Sequence, residues 1–234
     1  MPVRRTLLAG IVAGLLAGLF VTGLQAARVA PLILAAEVYE DAAAAHVHDH
    51  ASSGAAAPAE WEPAPGLERT AFTLLANLVV GAGCGLLLAA GIAWRHAATG
   101  ALPRARTGVL WGLAGFACFS LAPALGLTPQ PPGTLVAELA SRQLWWLCTV
   151  AGTAAGIGLL AFGRNWVLKG LGATLILLPH LVGAPQPPPG VNAVPPELAR
   201  EFALASLATA AMFWLFLGSV EGWLYVRLGR DGRA

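Results

Sequence analysis

Long apolar runs alternate with short polar segments along the whole of this 234-residue chain. Several runs reach the roughly 20 residues that a helix needs to cross the hydrocarbon core of a bilayer. The pattern therefore predicts an all-α fold class, a polytopic membrane helix bundle in which residues 1–234 form a single integral membrane domain. The six predicted membrane helices are at about Leu7–Ala27, Thr70–Trp94, Thr107–Leu127, Leu144–Phe162, Trp166–Gly183 and Phe202–Tyr225.

Composition supports a membrane protein independently of the hydrophobic pattern. Charged residues make up 11% of the chain, against roughly 25% in a soluble domain, which argues against a soluble helical protein with a very large core. Glycine is abundant, at 28 residues, and small residues allow helices in lipid to approach each other closely. Membrane lipid is the expected partner, with no nucleic acid. Glycines four residues apart predict close helix contacts at Gly10, Gly14 and Gly18, at Gly108 and Gly112, and at Gly152 and Gly156.

The distribution of charge predicts the orientation of the chain. With the N-terminus in the cytoplasm, ten of the fourteen Lys and Arg residues fall on the inner side, whereas ten of the twelve acidic residues fall outside. A bias of Lys and Arg towards cytoplasmic loops is the rule for membrane proteins. Six spans with both termini in the cytoplasm are therefore predicted, with a long outer loop at 28–69.

The first apolar run has a second interpretation, as a cleaved signal peptide. Arg4 and Arg5 precede the run, and small residues follow it near Ala26 and Ala27. The run is about 20 residues long, however, and a typical signal core has about 7–15. We therefore expect an uncleaved helix.

The predicted outer segments resemble one another. Each contains prolines and then an acidic residue shortly before an Arg, as in Glu68–Arg69, Glu138–Arg142 and Glu197–Arg200. An acid is favourable at a helix N-terminus, and proline prevents a helix from continuing. The pattern is compatible with three independent helix starts or with three parallel hairpin repeats, as found in transporters.

Three histidines at alternate positions lie in the long polar stretch. Imidazole is the commonest protein ligand for transition metals, and histidines at alternate positions of an extended segment would face the same way. Nitrogen and carboxylate ligands suit Co²⁺, Ni²⁺ or Zn²⁺, and the affinity order does not choose among them. We predict weak, exchangeable capture of a metal that is transported rather than a tightly bound cofactor; a solvated loop whose histidines only aid solubility is the alternative. The predicted ligands are His46, His48, His50, Asp49, Glu37, Glu40 and Asp41.

His180 and Glu221 are ionisable residues within predicted membrane helices. His180 follows Pro179 near the outer end of the fifth helix, and an ionisable group at membrane depth suggests function. It is therefore a candidate metal ligand, or alternatively an interfacial residue bonded to a loop carbonyl. Glu221, near the inner end of the last helix, is expected to pair with Arg227 or to reach water. Arg142, Gln143 and the following Trp145 and Trp146 are expected to anchor their helix at the interface.

The residues that carry chemistry favour transport over catalysis. The sequence contains no G-x-S-x-G, no H-E-x-x-H and no paired intramembrane acids, so a membrane enzyme of these kinds is not expected. A phosphate-binding Walker motif is also missing, and ATP-driven transport would need another chain. A non-transporting subunit that senses metal or assists assembly is the second hypothesis.

Several stretches together resemble the CbtA family, the predicted membrane subunit of a bacterial cobalt transporter. The resemblance implies a multi-pass protein of the bacterial inner membrane, cobalt supply for cobalamin synthesis, and a small one-helix partner subunit of the CbtB type. The stretches that carry it, in chain order, are Pro31–Leu34, Glu37–Glu40, the His-x-His-x-His segment, Trp61, Gly66–Thr70, Leu110–Phe116, Leu121–Gly126, Arg142–Trp146, Pro179–Pro185 and Phe213–Trp214.

Overall fold

A computed structural model describes residues 3–48, 63–64, 66–100 and 105–230. Within this part of the chain the secondary structure is helical, with no strand. Two of the helical segments contain a π-helical turn, at Gln25–Val29 and Ala117–Leu121. The α-helices are α1 (Val3–Leu24), α2 (Ala30–His48), α3 (Leu67–Thr99), α4 (Ala105–Phe116), α5 (Ala122–Ala124), α6 (Leu139–Phe162), α7 (Trp166–Val182) and α8 (Pro196–Arg230).

The six predicted helices are confirmed. The π-helical turns join α1 to α2 and α4 to α5, so the eight α-helices form six continuous helical segments. Five of these are long and apolar enough to cross a membrane, and the remaining one, α7, is apolar but has 17 residues. The fold is a helical membrane bundle.

The first helical segment is much longer than the sequence pattern predicted. It runs from Val3 to His48, so the prediction of an outer loop over 28–69 is wrong for residues 28–48, and also for 67–69, where α3 begins. The stretch 28–48 is rich in alanine, the best helix former, and it extends a helix that already exists and needs no new nucleus. Residues 49–62, which include Asp49 and His50, lie outside the described residues.

Each π-helical turn ends two residues before a proline. Val29 precedes Pro31, and Leu121 precedes Pro123. Proline lacks an N–H group, and its ring collides with the carbonyl four residues earlier. A locally widened turn is a usual way for a helix to accommodate such a disruption.

The helix α8 is the hub of the bundle. It packs against α1 and α4 most extensively and also contacts α2 and α3. On the far side of α1 lies α3, whereas α6 and α7 form a separate pair. This pair meets the rest of the bundle through α5, through the adjoining π-helical turn, and through Phe162, which contacts Trp94 and Arg95 of α3. The central core combines α1, α3 and α8 and includes Ala13, Leu88, Trp214 and Leu217.

Glycines allow the closest helix contacts, as predicted. A Cβ on Gly14 would clash with the backbone of Gly81 in α3, and one on Gly108 would clash with the backbone of Gly218 in α8. A Cβ on Gly156 would lie 2.5 Å from the carbonyl oxygen of Gly172. These three contacts join α1 to α3, α4 to α8, and α6 to α7.

The packing of helices does not follow a threefold hairpin repeat. Such a repeat would pair α7 with α8, yet among the described residues α7 packs mainly on α6, and α4 packs mainly on α8. The recurrent acids do begin helices. Glu138 is the N-cap of α6, and its carboxylate accepts hydrogen bonds from the backbone N–H groups of Ser141 (2.8 Å) and Ala140 (3.0 Å), which lower its pKa. Independent helix starts account for this part of the pattern.

Candidate functional site

The outer acidic residues divide between a structural and an exposed group. Glu37 in α2 accepts hydrogen bonds from both terminal nitrogens of the Arg69 guanidinium in α3. This two-pronged ion pair joins the extended first helix to the start of the second, and geometry of this kind is strong for a salt bridge. Glu40 and Asp41, one turn further along α2, are exposed. Among the four predicted carboxylate ligands, Glu37 would therefore have to leave Arg69 to bind a metal with both oxygens.

Three segments of the chain converge at Glu40, namely the end of α2 and the loops before α6 and α8. Gly133, in the loop before α6, has a positive φ of 75°, and a Cβ there would lie 3.0 Å from the Cβ of Glu40 and 3.4 Å from the side chain of Val194. Val194 belongs to the loop before α8 and is almost wholly buried. The two loops are also tied directly, because Leu135 donates its backbone N–H to the Asn192 side chain at 2.8 Å. The acidic end of α2 thus rests on both proline-containing outer loops.

The histidine segment is helical as far as the structure describes it. The backbone at positions 46 and 48 belongs to α2, whereas Asp49 and His50 lie outside the described residues. Positions two apart on a helix are about 200° apart around its axis. Positions 46 and 48 are therefore not in an extended segment, the conformation in which alternate histidines would face the same way.

His180 lies at the interface between α6 and α7. Its ring meets the edge or face of Trp145 at a centroid distance of 5.7 Å, and the Trp145 indole N–H donates to the carbonyl of Pro179 at 3.1 Å. Trp145 is buried, so it is not the lipid-interface anchor that the sequence suggested. The Nε2 atom of His180 is buried without a hydrogen-bond partner in the described part of the chain.

A polar stripe continues from Trp145 towards the inner side of α6. Thr149 and Thr153 follow at intervals of four residues, and both are buried. The Thr149 hydroxyl donates to the Trp145 carbonyl, whereas the Thr153 hydroxyl has no partner among the described residues. Opposite them, Pro179 cannot donate to the carbonyl of Leu175, which approaches Gly152 so closely that a Cβ there would lie 2.7 Å from the oxygen. The Thr153 hydroxyl and the Leu175 carbonyl therefore offer lone pairs at the interface between α6 and α7.

A second polar cluster, which the sequence did not suggest, lies between α1 and α3. The Asn77 side-chain amide donates to the Gln25 carbonyl oxygen at 2.7 Å and to the Thr22 hydroxyl at 3.0 Å. Gln25 is the first residue of the first π-helical turn. Three polar side chains within two otherwise apolar runs were the only available sequence signal. The cluster is internally hydrogen-bonded, which is how polar groups are tolerated in membrane helices.

Glu221 differs from both sequence expectations. It is wholly buried, and neither carboxyl oxygen has a hydrogen-bond partner in the described residues. Arg227, its expected partner, stacks instead over the ring of Trp223, with 5.2 Å from the guanidinium carbon to the ring centroid. The acidic residue was visible in the sequence, but its helix face could not be assigned without knowing the neighbours of α8.

No ready-made metal centre exists within the described residues. No three His, Cys, Asp or Glu side chains there are grouped so that they could hold an ion. The predicted ligands instead lie at two levels: Glu37, Glu40, Asp41, His46 and His48 on α2, and His180 between α6 and α7.

The fold and the polar groups along it define a multi-pass helical membrane protein with polar residues both outside and within its helices. The family model described as a probable cobalt transporter subunit (CbtA) matches residues 3–226. The chain belongs to this family, and the family resemblance seen in the sequence is thereby confirmed. No curated protein and no solved structure shows significant similarity to the chain.

Proposed function

We propose that this chain is the membrane subunit of an uptake transporter for a divalent transition metal, with Co²⁺ as the substrate. The observation that carries the proposal is the position of Glu40. Because α2, the loop before α6 and the loop before α8 meet there, a metal gathered along α2 arrives above the contact between the three outer segments. The family supports a transporter subunit rather than an enzyme.

The capture step uses the polar end of α2 and the segment that follows it. Glu40 and Asp41 are exposed and supply oxygen ligands, and His46, His48 and His50 supply nitrogen ligands. Imidazole and carboxylate together suit Co²⁺, Ni²⁺ and Zn²⁺, and discrimination among them depends on geometry and availability. Glu37 holds α2 against α3 through Arg69 and so fixes the place at which the ion is presented.

The passage step needs polar groups within the helices, because a bare dication in hydrocarbon is prohibitively costly. The interface between α6 and α7 offers the unpartnered Nε2 of His180, the hydroxyl of Thr153 and the carbonyl of Leu175. Of these, imidazole is the preferred transition-metal ligand. His180 therefore receives the ion below the outer entrance.

The setting proposed for the transporter is the inner membrane of a bacterium, with both termini in the cytoplasm and the histidine segment outside. The excess of Lys and Arg on the inner side supports this orientation. A small one-helix partner of the CbtB type completes the transporter, and no metal is held as a permanent cofactor. Alkaline phosphatase fused after Ser53 is active in this orientation, whereas activity of a fusion at the C-terminus would contradict it.

The capture step is tested by changing His46, His48 and His50 together to Ala. Calorimetry on the purified protein should show weaker Co²⁺ or Ni²⁺ binding, and uptake should require a higher metal concentration. The bundle should keep its melting temperature, since the histidines lie beyond the membrane helices. Equal metal affinity in the triple variant and the parent would refute capture by the histidines.

The alternative is a subunit that senses metal or assists assembly and does not transport. Both hypotheses predict metal binding to the histidine segment, so binding does not separate them. Transport does: protein reconstituted in liposomes with its partner subunit should accumulate ⁵⁷Co²⁺ in the lumen. Binding without accumulation would favour the sensing or assembly subunit.

A further inference from the structure

The side chain of Glu221 is wholly buried at the hub of the bundle. Both carboxyl oxygens lack a hydrogen-bond partner among the residues described. The capture and passage steps proposed above make no use of this group. The proposed steps also assign no residue to the balance of protons or charge during transport.

The depth of Glu221 follows from the register between α1 and α8. The Arg5 guanidinium donates to the carbonyl of Leu228 at 3.0 Å, and the rings of Phe20 and Phe216 stack at 4.4 Å. Interpolation between these two contacts places Glu221 level with Ala13 and Gly14, which are both buried. They lie six and seven residues inside the predicted start of the first span, so Glu221 lies about 9–10 Å into the apolar layer at 1.5 Å per residue.

The segment of α8 around Glu221 combines apolar and small residues with a buried tyrosine. Leu217, one turn earlier on α8, belongs to the central core with Ala13 and Leu88, and Tyr225, one turn later, is also buried. The adjacent face of α8 carries Gly218 and Gly222, and a Cβ on Gly108 of α4 would lie 2.6 Å from the Cα of Gly222. The backbones of α8 and α4 are therefore in close contact beside Glu221.

The ionisable residues on the neighbouring helices have other positions or partners. Arg5 is bonded near Leu228, about 10 Å along α8 from Glu221, and Arg227 stacks on Trp223. The ion pair between Glu37 and Arg69 does not involve Glu221. The remaining ionisable residues of the elements that pack on α8 are Arg4 on α1, Arg28 on the first π-helical turn, Tyr39, Glu40, Asp41, His46 and His48 on α2, Glu68, Cys84, Arg95 and His96 on α3, Arg106 on α4 and Cys118 on the second π-helical turn, with Glu197, Arg200, Glu201, Tyr225 and Arg230 on α8 itself.

A carboxylate without a partner is costly in such a place, whereas the neutral acid is tolerated far better. An apolar side chain of similar size would stabilise the same packing more. Replacing Glu221 by Gln or Leu should therefore leave the packing of α8 against its neighbours at least as stable. Residues that reduce stability in this way are commonly retained for function.

We propose that Glu221 is an intramembrane proton-binding site that couples metal uptake to the proton gradient, an inference that rests on the proposed function. Binding of one proton converts the carboxylate to the neutral acid, which is compatible with the close packing of α8 against α1 and α4. Loss of that proton to water leaves a carboxylate that this close packing disfavours, so α8 separates from α1 and α4. This movement occurs at the glycine-lined contacts of α8. Each proton that Glu221 takes up on one side of the membrane is released on the other side.

The first test uses protein stability and does not require transport. Thermal unfolding of the full chain in detergent is measured from pH 5 to pH 9 for the parent and for Glu221→Gln. The parent should lose stability as pH rises, because the closed hub cannot hold the carboxylate, and the variant should lack this component. Glu201→Gln, an exposed acid on the same helix, should retain it. Identical pH profiles for the parent and Glu221→Gln would overturn the proposal.

The second test measures ⁵⁷Co²⁺ uptake in liposomes that contain the chain and its partner subunit, with and without an imposed pH gradient. Glu221→Gln should lose at least tenfold of the gradient-driven rate while binding Co²⁺ with parental affinity. Glu221→Asp should preserve the response to the gradient. A parental response in Glu221→Gln would overturn proton coupling at this site, whereas failure of the parent itself to move Co²⁺ would overturn the proposed function.

Discussion

At the scale of single residues, the structure separates polar groups that have partners from those that do not. Asn77 bonds to Gln25 and Thr22, and Glu37 bonds to Arg69. The buried Nε2 of His180 has no partner among the described residues. Groups of the first kind hold helices together, while an unpartnered imidazole nitrogen keeps its lone pair or proton available for a passing ion.

His180 provides the sharpest single-residue prediction. His180→Ala should abolish metal uptake even at metal concentrations high enough to bypass the histidine segment, because the passage step loses its nitrogen ligand. His180→Gln should also fail, since an amide can replace a hydrogen bond but is a poor transition-metal ligand. Uptake of ⁵⁷Co²⁺ by cells that express each variant is the measurement.

Leu181→Ala provides the matched control for this prediction. Leu181 is the next residue of α7 and is 80% exposed, so its replacement should leave uptake and melting temperature unchanged. Transport by His180→Gln at the parental rate would assign His180 a hydrogen-bonding role and leave the acidic residues of α2 as the remaining candidate for metal entry.

At the scale of helices, length and apolar composition predicted all six helical segments. Their ends were less predictable. Polar residues suggested that the first helix stops near Ala27, yet it continues to His48 because alanine and glutamate extend an existing helix well. The π-helical turns were not foreseen either, although the prolines that follow them, Pro31 and Pro123, are a usable signal.

Helix packing by small residues gives a prediction for α3. A Cβ on Gly81 would overlap the carbonyl oxygen of Gly14, whereas a Cβ on Gly83 would have nothing within 4 Å. Gly81→Ala should therefore destabilise the bundle by about 1–3 kcal/mol through overpacking. Gly83→Ala should be neutral or slightly stabilising, since alanine is the better helix former.

Unfolding of both variants in the same detergent tests this contact. The melting temperature of Gly81→Ala should be clearly below that of the parent, and that of Gly83→Ala should not. Equal melting temperatures would mean that α1 and α3 do not approach through these glycines.

At the scale of the whole molecule, the choice of helix partners could not be predicted from the sequence. The recurrent prolines and acids suggested hairpins of consecutive helices, but α4 packs mainly on α8, which is distant along the chain. Such pairing depends on complementary surfaces, here Gly108 and Gly112 against Gly218 and Trp214, which no single segment reveals. The burial of Glu221 follows from this pairing and was missed for the same reason.

The helices that carry the two proposed sites pack against each other. The first helical segment carries Glu40 and positions 46 and 48 near its C-terminal end, and it packs on α8, which carries Glu221 near its own C-terminal end. In the proposed transport cycle, a metal bound at the first site and a proton bound at the second would therefore act on the same pair of helices. Coupling between two sites requires such a shared element with two arrangements.

The cobalt content of bacterial cells tests directly whether this chain takes part in cobalt uptake. Cells that produce this chain with its partner subunit should accumulate more cobalt from a medium with limiting Co²⁺ than cells lacking the chain. The variant with His46, His48 and His50 changed to Ala should approach the parent only when Co²⁺ is raised. The same cobalt content with and without the chain, at every Co²⁺ concentration, would contradict its role in cobalt uptake.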